Sequence, residues 1–344
     1  MLERVQPHTV KIYDLDNKEF EVIKIRARQL LRADRFDLFA KLLYVRLRQT
    51  EPDYAARIYD EHIKAFNPDL KEPGREDKNS LDDFRQTFDK LIDCFAEQDF
   101  DAEQSVIPLS EDYTLLDGAH RVAALAYFDK EVTCLHFKDV APKCRFDYLY
   151  FRNRGLAWDT CDAIALEVVK WLPDIHVACL WPRMKSKAEA LRILQEKYCI
   201  GYVSQMKVSL QSMIAFTKLV YKGQPWVTNQ ASVEDKAMQC FGFGGELVFV
   251  FFTADNLEDV LSTKDLIRNY YGLDKHALHI TDNAEETIDV ADLVLTNKGK
   301  ESWCKEYGAT SRIISRLSER WLYFRKVQII NLKVFVAKLI NFKG

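Results

Sequence analysis

The sequence predicts a mixed α/β (α+β) chain made of two successive blocks. Segments with apolar residues at helical spacing alternate with short apolar runs of strand length. The chain has 344 residues, enough for roughly two domains, and 48% of them are hydrophobic, enough to fill a core. Glycine and proline are few, so the pattern is one of regular elements rather than of loops.

Residues 9–25 alternate like strand pieces around a turn at Asp14–Lys18. "RQLLRADRFDLFAKLLYVRLRQ" carries Leu30, Leu31, Phe36, Phe39 and Leu43 at helical spacing. Residues 67–80 hold two prolines, a glycine and many charges, and read as loop. "SLDDFRQTFDKLIDCFAEQ" reads as a helix with Ser80 as N-cap and Asp83 three residues on. "SVIPLSEDYTLLDG" reads as strand, turn, strand; "AHRVAALAYF" as helix; "VTCLHF" as strand. From about Asp159 the order becomes helix, strand, helix, strand, helix, strand, helix, strand, helix. The strands are "IHVACLW", "IGYVSQMKVS", "GELVFVFFTA" and the short "ALHI". This suggests a layered α/β body. The expected division is 1–150, 151–310 and a tail, 311–344.

The net charge of −3 gives no global reason to expect nucleic acid as a partner. The eight cysteines form no C-x-x-C pair, which favours reduced thiols in a cytosol over a disulfide framework. The first residues contain no apolar h-region, so no signal peptide is expected. The charge is uneven. Residues 311–344 carry eight Lys or Arg and one acid, Glu319, while residues 1–310 carry 41 basic and 51 acidic groups.

"LLDGAHRVAALAYF", residues 115–128, places Gly118, His120 and Arg121 where a strand passes into a helix. A helix N-terminus offers unpaired N–H groups and partial positive charge, and a glycine lets the backbone approach an anion. His120 and Arg121 add side-chain donors for phosphate oxygens. The plain alternative is that Gly118 permits a turn, His120 caps locally and Arg121 is solvated. Acids that would orient an acceptor hydroxyl are Asp34 and Asp37, then Glu72, Glu76 and Asp77 in the charged loop; Lys41 and Lys78 would neutralise phosphate. Asp37 stands out because it sits among aromatics. The plain alternative for these is a solvated helix face and loop. "DYLYFRNRGLAWD" either covers a base or sugar ring or packs the two blocks together.

"IPLSEDYTLLDGAHRVAALAYFDKEVTCLHF" resembles the core of the ParB/sulfiredoxin superfamily: a strand, a G-x-H-R or G-E-R-R turn, a helix and another strand. Sulfiredoxin needs a cysteine where this chain has Ala119, which argues against sulfinic acid repair. ParB partition proteins carry a helix-turn-helix after this core; none is seen here, and no DNA partner is expected. The variant D-G-H-H-R of the superfamily's free-serine kinases matches Asp117-Gly118-Ala119-His120-Arg121 at four of five positions. The resemblance implies that Gly118, His120 and Arg121 hold the phosphates of ATP. It makes Asp117 a general base or Mg2+ ligand beside the transferred group.

"LIRNYYGLDKHALHITDNAEETIDVADLVL" resembles the C-terminal core of nucleoside diphosphate kinase, and the outline extends over about residues 175–300. That resemblance implies a ferredoxin-like domain, His279 as phosphate-accepting nucleophile, Asp282 as the motif aspartate and Arg268 as a phosphate-binding arginine. The chain departs from the pattern at Trp181, where the family has lysine, at His276 for asparagine, and at Ile280 for glycine. The acid expected eleven residues after the histidine falls on Val290, next to Asp289. The fold is therefore expected without the standard activity. His276, His279 and Asp282 also suggest a metal, on weak spacing.

The tail repeats Arg312, Arg316 and Arg320 beside Ile313, Leu317 and Trp321, a cationic amphipathic pattern. It suits either an anionic membrane surface or docking on the body. The combined expectation is a cytoplasmic, peripherally membrane-associated phosphotransferase using ATP and Mg2+ on a hydroxyl acceptor, such as a sugar or glycolipid of surface-polysaccharide assembly. The rival expectation is a non-catalytic CTP- or ATP-binding switch.

Overall fold

The computed structural model describes residues 1–71, 78–242 and 245–307. The basic tail, and Glu72, Glu76 and Asp77, lie outside the described residues.

The first block opens on a helix, α1 (Pro7–Tyr13), not on the strand that its alternation suggests. Pro7 sits in the first turn, where its missing N–H costs nothing, and Asp14 ends the helix in the left-handed region at φ 53°. The alternation marks a shallow contact: Thr9 is the buried residue, and Val10 and Tyr13 pack partly on the small cluster around Val5, Leu15 and Phe137. β1 (Glu21–Arg26) then pairs antiparallel with β3 (Glu131–His136), and β2 (Ile107–Leu109) pairs parallel with β3. The second strand expected after the 110–114 turn reduces to one bridge, Leu109 to Leu115.

Three helices lie between β1 and β2: α2 (Phe36–Leu47), α3 (Pro52–Phe66) and α4 (Leu81–Glu97). The helix expected over 28–49 begins only at Phe36, after a 3-10 turn at Ala27–Leu30. Arg32 bonds Asp34 and Arg35 bonds Asp37, two residues on in each case. Side chains two apart do not face each other on a helix, so these pairs hold the segment out of it. The Ser80–Asp83 capping box starts α4 as the sequence implies. α5 (Ala119–Tyr127) joins β2 to β3.

The second block contains α6 (Tyr148–Asn153), α7 (Trp158–Trp171), β4 (Ile175–Leu180), α8 (Ala188–Lys197), β5 (Cys199–Lys207), α9 (Leu210–Val220) and α10 (Gln230–Phe241). It ends with β6 (Glu246–Thr253), α11 (Leu257–Tyr271), β7 (Leu278–Ile280), α12 (Ala284–Leu295) and α13 (Asn297–Trp303). Its sheet runs β5-β6-β4-β7, antiparallel throughout. One face of this sheet, with Ala178, Val250, Phe252 and Ile280, packs with residues of α8 and α11. The other face, with Val177, Cys179, Phe249 and Phe251, joins the large core that also contains α2, α5 and α7.

That shared core binds the blocks together. Eleven of the twelve residues of α2 are buried, which explains its all-round apolar sequence. Phe36 at its start stacks on Tyr202 of β5 at 6.1 Å and meets Phe151 and Tyr148 of α6 at 6.3 and 6.5 Å. Near its end, Arg46 grips buried Glu167 of α7 with Nε and Nη2, at 2.9 and 2.7 Å. In the aromatic stretch 147–159, Arg152 lies over Trp158 at 3.8 Å while Phe151 is buried, so this stretch packs the blocks together. Among the described residues no helix is long and apolar enough to cross a membrane.

All six tryptophans lie after residue 157, whereas Phe36 belongs to the first block. Phe36→Ala should nonetheless lower the stability read by tryptophan fluorescence in urea by about 3–5 kcal/mol, in one transition that coincides with circular dichroism. Two separate transitions would show that the blocks unfold independently.

Candidate functional site

The turn into α5 is fixed by Gly118. Its φ is +90°, which favours glycine, and a Cβ there would lie 2.5 Å from Ile107 Cδ1 in β2, so any other residue is strained and must displace that side chain. Asp117 folds back on the turn: its Oδ1 accepts from the Gly118 N–H at 2.6 Å and its Oδ2 from Arg121 Nη2 at 3.2 Å. Arg121 also donates to Ser105. The aspartate, glycine and arginine of the motif thus form one rigid unit at the helix start. Its carboxylate orients the guanidinium. Among the described residues no three His, Cys, Asp or Glu side chains gather as a metal site.

His120 turns inward. Its Nε2 lies 2.9 Å from the Tyr59 hydroxyl of α3, and its ring meets Phe88 of α4 edge-on at 4.7 Å. Burial pushes this imidazole well below the usual histidine range, and the charges of Lys41, Lys78, His62 and Arg121 push it the same way. The charges of Lys41 of α2, of Lys78 just ahead of α4 and of Arg121 thus all reach His120 at the start of α5.

Asp37 holds one of these charges, Lys41. It is 1% exposed, and its carboxylate accepts from Arg35 Nε at 2.9 Å and Nη2 at 3.0 Å, with Lys41 Nζ 3.6 Å away. Burial alone would raise its pKa; the charges of Arg35 and Lys41 and the Arg35 hydrogen bonds outweigh burial and hold it at about 2. So strong an acid is a poor proton acceptor near neutrality. This corrects the expectation of Asp37 as a base: it anchors Lys41 and Arg35. Arg35 Nη1 donates to the carbonyl of Leu115 at 2.8 Å, tying α2 to the strand end just before Asp117. Asp34 is bonded by Arg32 in the same loop.

His62 of α3 is the residue the sequence did not announce. It is 0% exposed, and neither ring nitrogen has a hydrogen-bond partner. Its ring packs on Phe151 at 4.8 Å and on Phe66 at 6.2 Å. Burial drives its pKa well down, Lys41 adds to that, and Asp37 opposes it. Its signal was a polar position on the apolar face of a helix, 52–66, that the sequence reading passed over.

The second histidine lies elsewhere, on β7. His279 is almost buried, with Trp181 6.5 Å away and Tyr221 5.3 Å away. Its Nε2 lies 2.9 Å from Glu286 Oε1 of α12, and Glu286 Oε2 accepts from the Asp282 N–H at 2.8 Å. The acidic partner is therefore seven residues on, one helical turn before the Asp289–Val290 position that the motif indicated. Asp282 is held by Lys264 at 3.0 Å. These groups line a cleft of about 1390 Å³ with Tyr221 and Trp226. Its wall carries Glu51, Asp282, Glu285, Glu286, Asp289 and Asp292 against Lys222, Lys264 and Lys298. Arg268 does not line it; its Nη1 lies 3.5 Å from Asp265. A wall richer in carboxylates than in cations repels phosphate, so the geometry gives no support to His279 as a phosphate acceptor. The charges of Lys41 and Arg121 reach His120 at the start of α5, and His279 lies apart on the second sheet. No family model, curated protein or solved structure matches the chain.

The histidines give a pH signature. His62 and His120 hold depressed pKa values when folded, against 6.5 as the ordinary value, so the unfolded chain binds more protons below pH 6.5. Stability should be full above that pH and fall as the pH drops below it, and His62→Phe should flatten the slope in urea titrations at pH 5–8. A profile flat over that range in the unaltered chain would contradict the burial of neutral imidazoles.

Proposed function

We propose that the chain is an ATP- and Mg2+-dependent phosphotransferase whose nucleotide phosphates lie at the start of α5. The observation that supports the reading is that the charges of Lys41, Lys78 and Arg121 all act on His120 in the first turn of a glycine-led helix. Unpaired backbone N–H groups and these cations answer the charge of a polyphosphate. Gly118 lets the backbone come close, Asp117 aims Arg121, and Asp37 fixes Lys41. With no three-ligand cage among the described residues, Mg2+ in this reading is held chiefly by the phosphates, as this ion commonly is, with Asp117 as its protein-side carboxylate. The acceptor is a hydroxyl compound, with a sugar or glycolipid of surface-polysaccharide assembly as the first class to try.

The domain reading accompanies this one. The first block is read as a ParB/sulfiredoxin-like fold. The second is read as a ferredoxin-like, nucleoside diphosphate kinase-like fold, supported by its antiparallel β5-β6-β4-β7 order. In this proposal its cleft serves recognition, not phosphate capture. Residues 311–344 are assigned to an anionic membrane surface, which would hold a cytoplasmic protein at the inner membrane face.

One observation favours the non-catalytic switch. Both carboxylates named as bases are engaged, Asp37 by Arg35 and Asp117 by Arg121. Calorimetry with MgATP separates the alternatives when combined with a phosphoryl-transfer assay over hydroxyl acceptors. Arg121→Ala should weaken binding at least about tenfold, the loss of a charge-assisted pair, while Glu286→Gln in the other cleft leaves it unchanged. Transfer that is lost in Asp117→Asn with binding kept identifies the enzyme. Binding without transfer to any acceptor identifies the switch, and binding lost only in Glu286→Gln refutes the α5 site.

A further inference from the structure

The cleft of about 1390 Å³ beside β7 presents one nitrogen to a ligand. His279 lines it and is 7% exposed. Its Nε2 lies 2.9 Å from Glu286 Oε1, while Glu286 Oε2 accepts from the Asp282 N–H at 2.8 Å. An ionised carboxylate only accepts, so Nε2 carries the proton of the neutral ring and Nδ1 keeps the lone pair. Among the described residues Nδ1 has no hydrogen-bond partner, and it is not sealed in the core as both nitrogens of His62 are. The imidazole thus offers the cleft an acceptor held in one tautomer. The wall lysines are mostly committed elsewhere. Lys222 is held by Asp289 at 2.7 Å, and Lys264 by Asp282 at 3.0 Å and by the Ile280 carbonyl at 2.9 Å. Glu51, Glu285 and Asp292 line the same space with no ion pair among the described residues, against Lys298. Tyr221 and Trp226 line it too, with ring centroids 5.2 Å apart. Lys236 already lies over Tyr221 at 5.7 Å, whereas among the described residues no cation lies over Trp226. A fixed acceptor, uncommitted carboxylates and an aromatic face all answer a cation that carries N–H donors.

We propose that this cleft binds a ligand bearing aliphatic ammonium groups, which donates N–H to His279 Nδ1 and sets its charge against Glu285, Asp292 and the ring of Trp226. Glu286 is a positioning residue: it touches His279, not the ligand, and fixes the tautomer that makes Nδ1 an acceptor. The event is binding alone, so no covalent bond forms or breaks and the ammonium keeps its protons. The inference is independent of the nucleotide reading at α5. It gives the recognition cleft of the second block a ligand class of its own, opposite in charge to a phosphate.

The test is calorimetry of the full chain at neutral pH with the diamine cadaverine, beside the pentanediol of the same length and the permethylated, bis-quaternary form of the diamine. Cadaverine should bind and the neutral diol should not. The bis-quaternary form keeps the charge but has no N–H, so it should bind at least about tenfold more weakly, the loss of a charge-assisted hydrogen bond. His279→Phe should erase that preference. Glu286→Gln should erase it as well, because an amide NH2 can donate to Nε2 and release the tautomer. Trp226→Ala should weaken both cations several-fold. Glu285→Gln combined with Asp292→Asn alters two exposed side chains, leaves the core untouched, and should also weaken cadaverine several-fold. Absence of binding by cadaverine would overturn the proposal. So would equal affinity for the bis-quaternary form, or cadaverine binding that the Glu285→Gln/Asp292→Asn chain leaves unchanged. MgATP binding, titrated separately in the same samples, reports on the α5 site, so either reading can fail without the other.

Discussion

The arrangement depends on a charge cluster at the first turn of α2. Arg35, Asp37 and Lys41 are all at least 96% buried by side chain, and they satisfy one another. Ions placed so deep are costly alone and tolerable together, and removing one partner strands the others at about 3–5 kcal/mol. The cluster performs three tasks from one place. It starts α2, because Asp37 lies in the first turn, where the helix dipole favours a negative charge. It ties α2 to Leu115, and so sets the approach to Asp117 and Gly118. It also holds Lys41 where its charge reaches both His62 and His120.

From this cluster the rest of the core follows. α2 is buried almost all round because the first block packs on one part of it and α6, α7 and β5 on the other. Arg46 meets buried Glu167 across the junction, and within the second block Lys300 donates to Asp162 at 2.5 Å, while Asp162 also accepts from Tyr202 at 2.8 Å. Such pairs add little net stability but penalise misplacement heavily, so Arg46–Glu167 fixes the register between the blocks and Lys300–Asp162 that of α13 on α7. The cleft at His279 is built chiefly from α9, α12 and β7, with Glu51 of the first block also on its wall, and is lined with acids. Carboxylates outnumber lysines on its wall, whereas Lys41, Lys78 and Arg121 are the charges that act on His120 at the α5 site. The two places are thus suited to different ligands, which is the strongest physical reason to assign them different roles.

The sequence made some of this legible, and the reasons differ by residue. Gly118 was readable because a positive φ between a strand and a helix calls for glycine. The Ser80–Asp83 box was readable because a cap is local chemistry. Asp37 was conspicuous among aromatics, yet its task was misjudged, since its partner Arg35 lies two residues away and off the helix that periodicity extended too far back. His62 was invisible because α3 begins at Pro52 and its apolar face is interrupted by charges and by the histidine itself. Glu286 was missed because motif spacing pointed to the next helical turn. The helix at Pro7–Tyr13 was misread because a short helix with little burial leaves almost no periodic trace.

The most direct test is the position of a bound nucleotide. A crystal structure of the full chain with MgADP should place the diphosphate against the N–H groups of residues 119–121, with Arg121 and Lys41 on its oxygens and the Arg35–Asp37 pair unbroken. Diphosphate found instead between Tyr221, His279 and Glu286 would contradict the account, because it would mean that the acidic cleft, and not the cationic helix start, is where phosphate is handled.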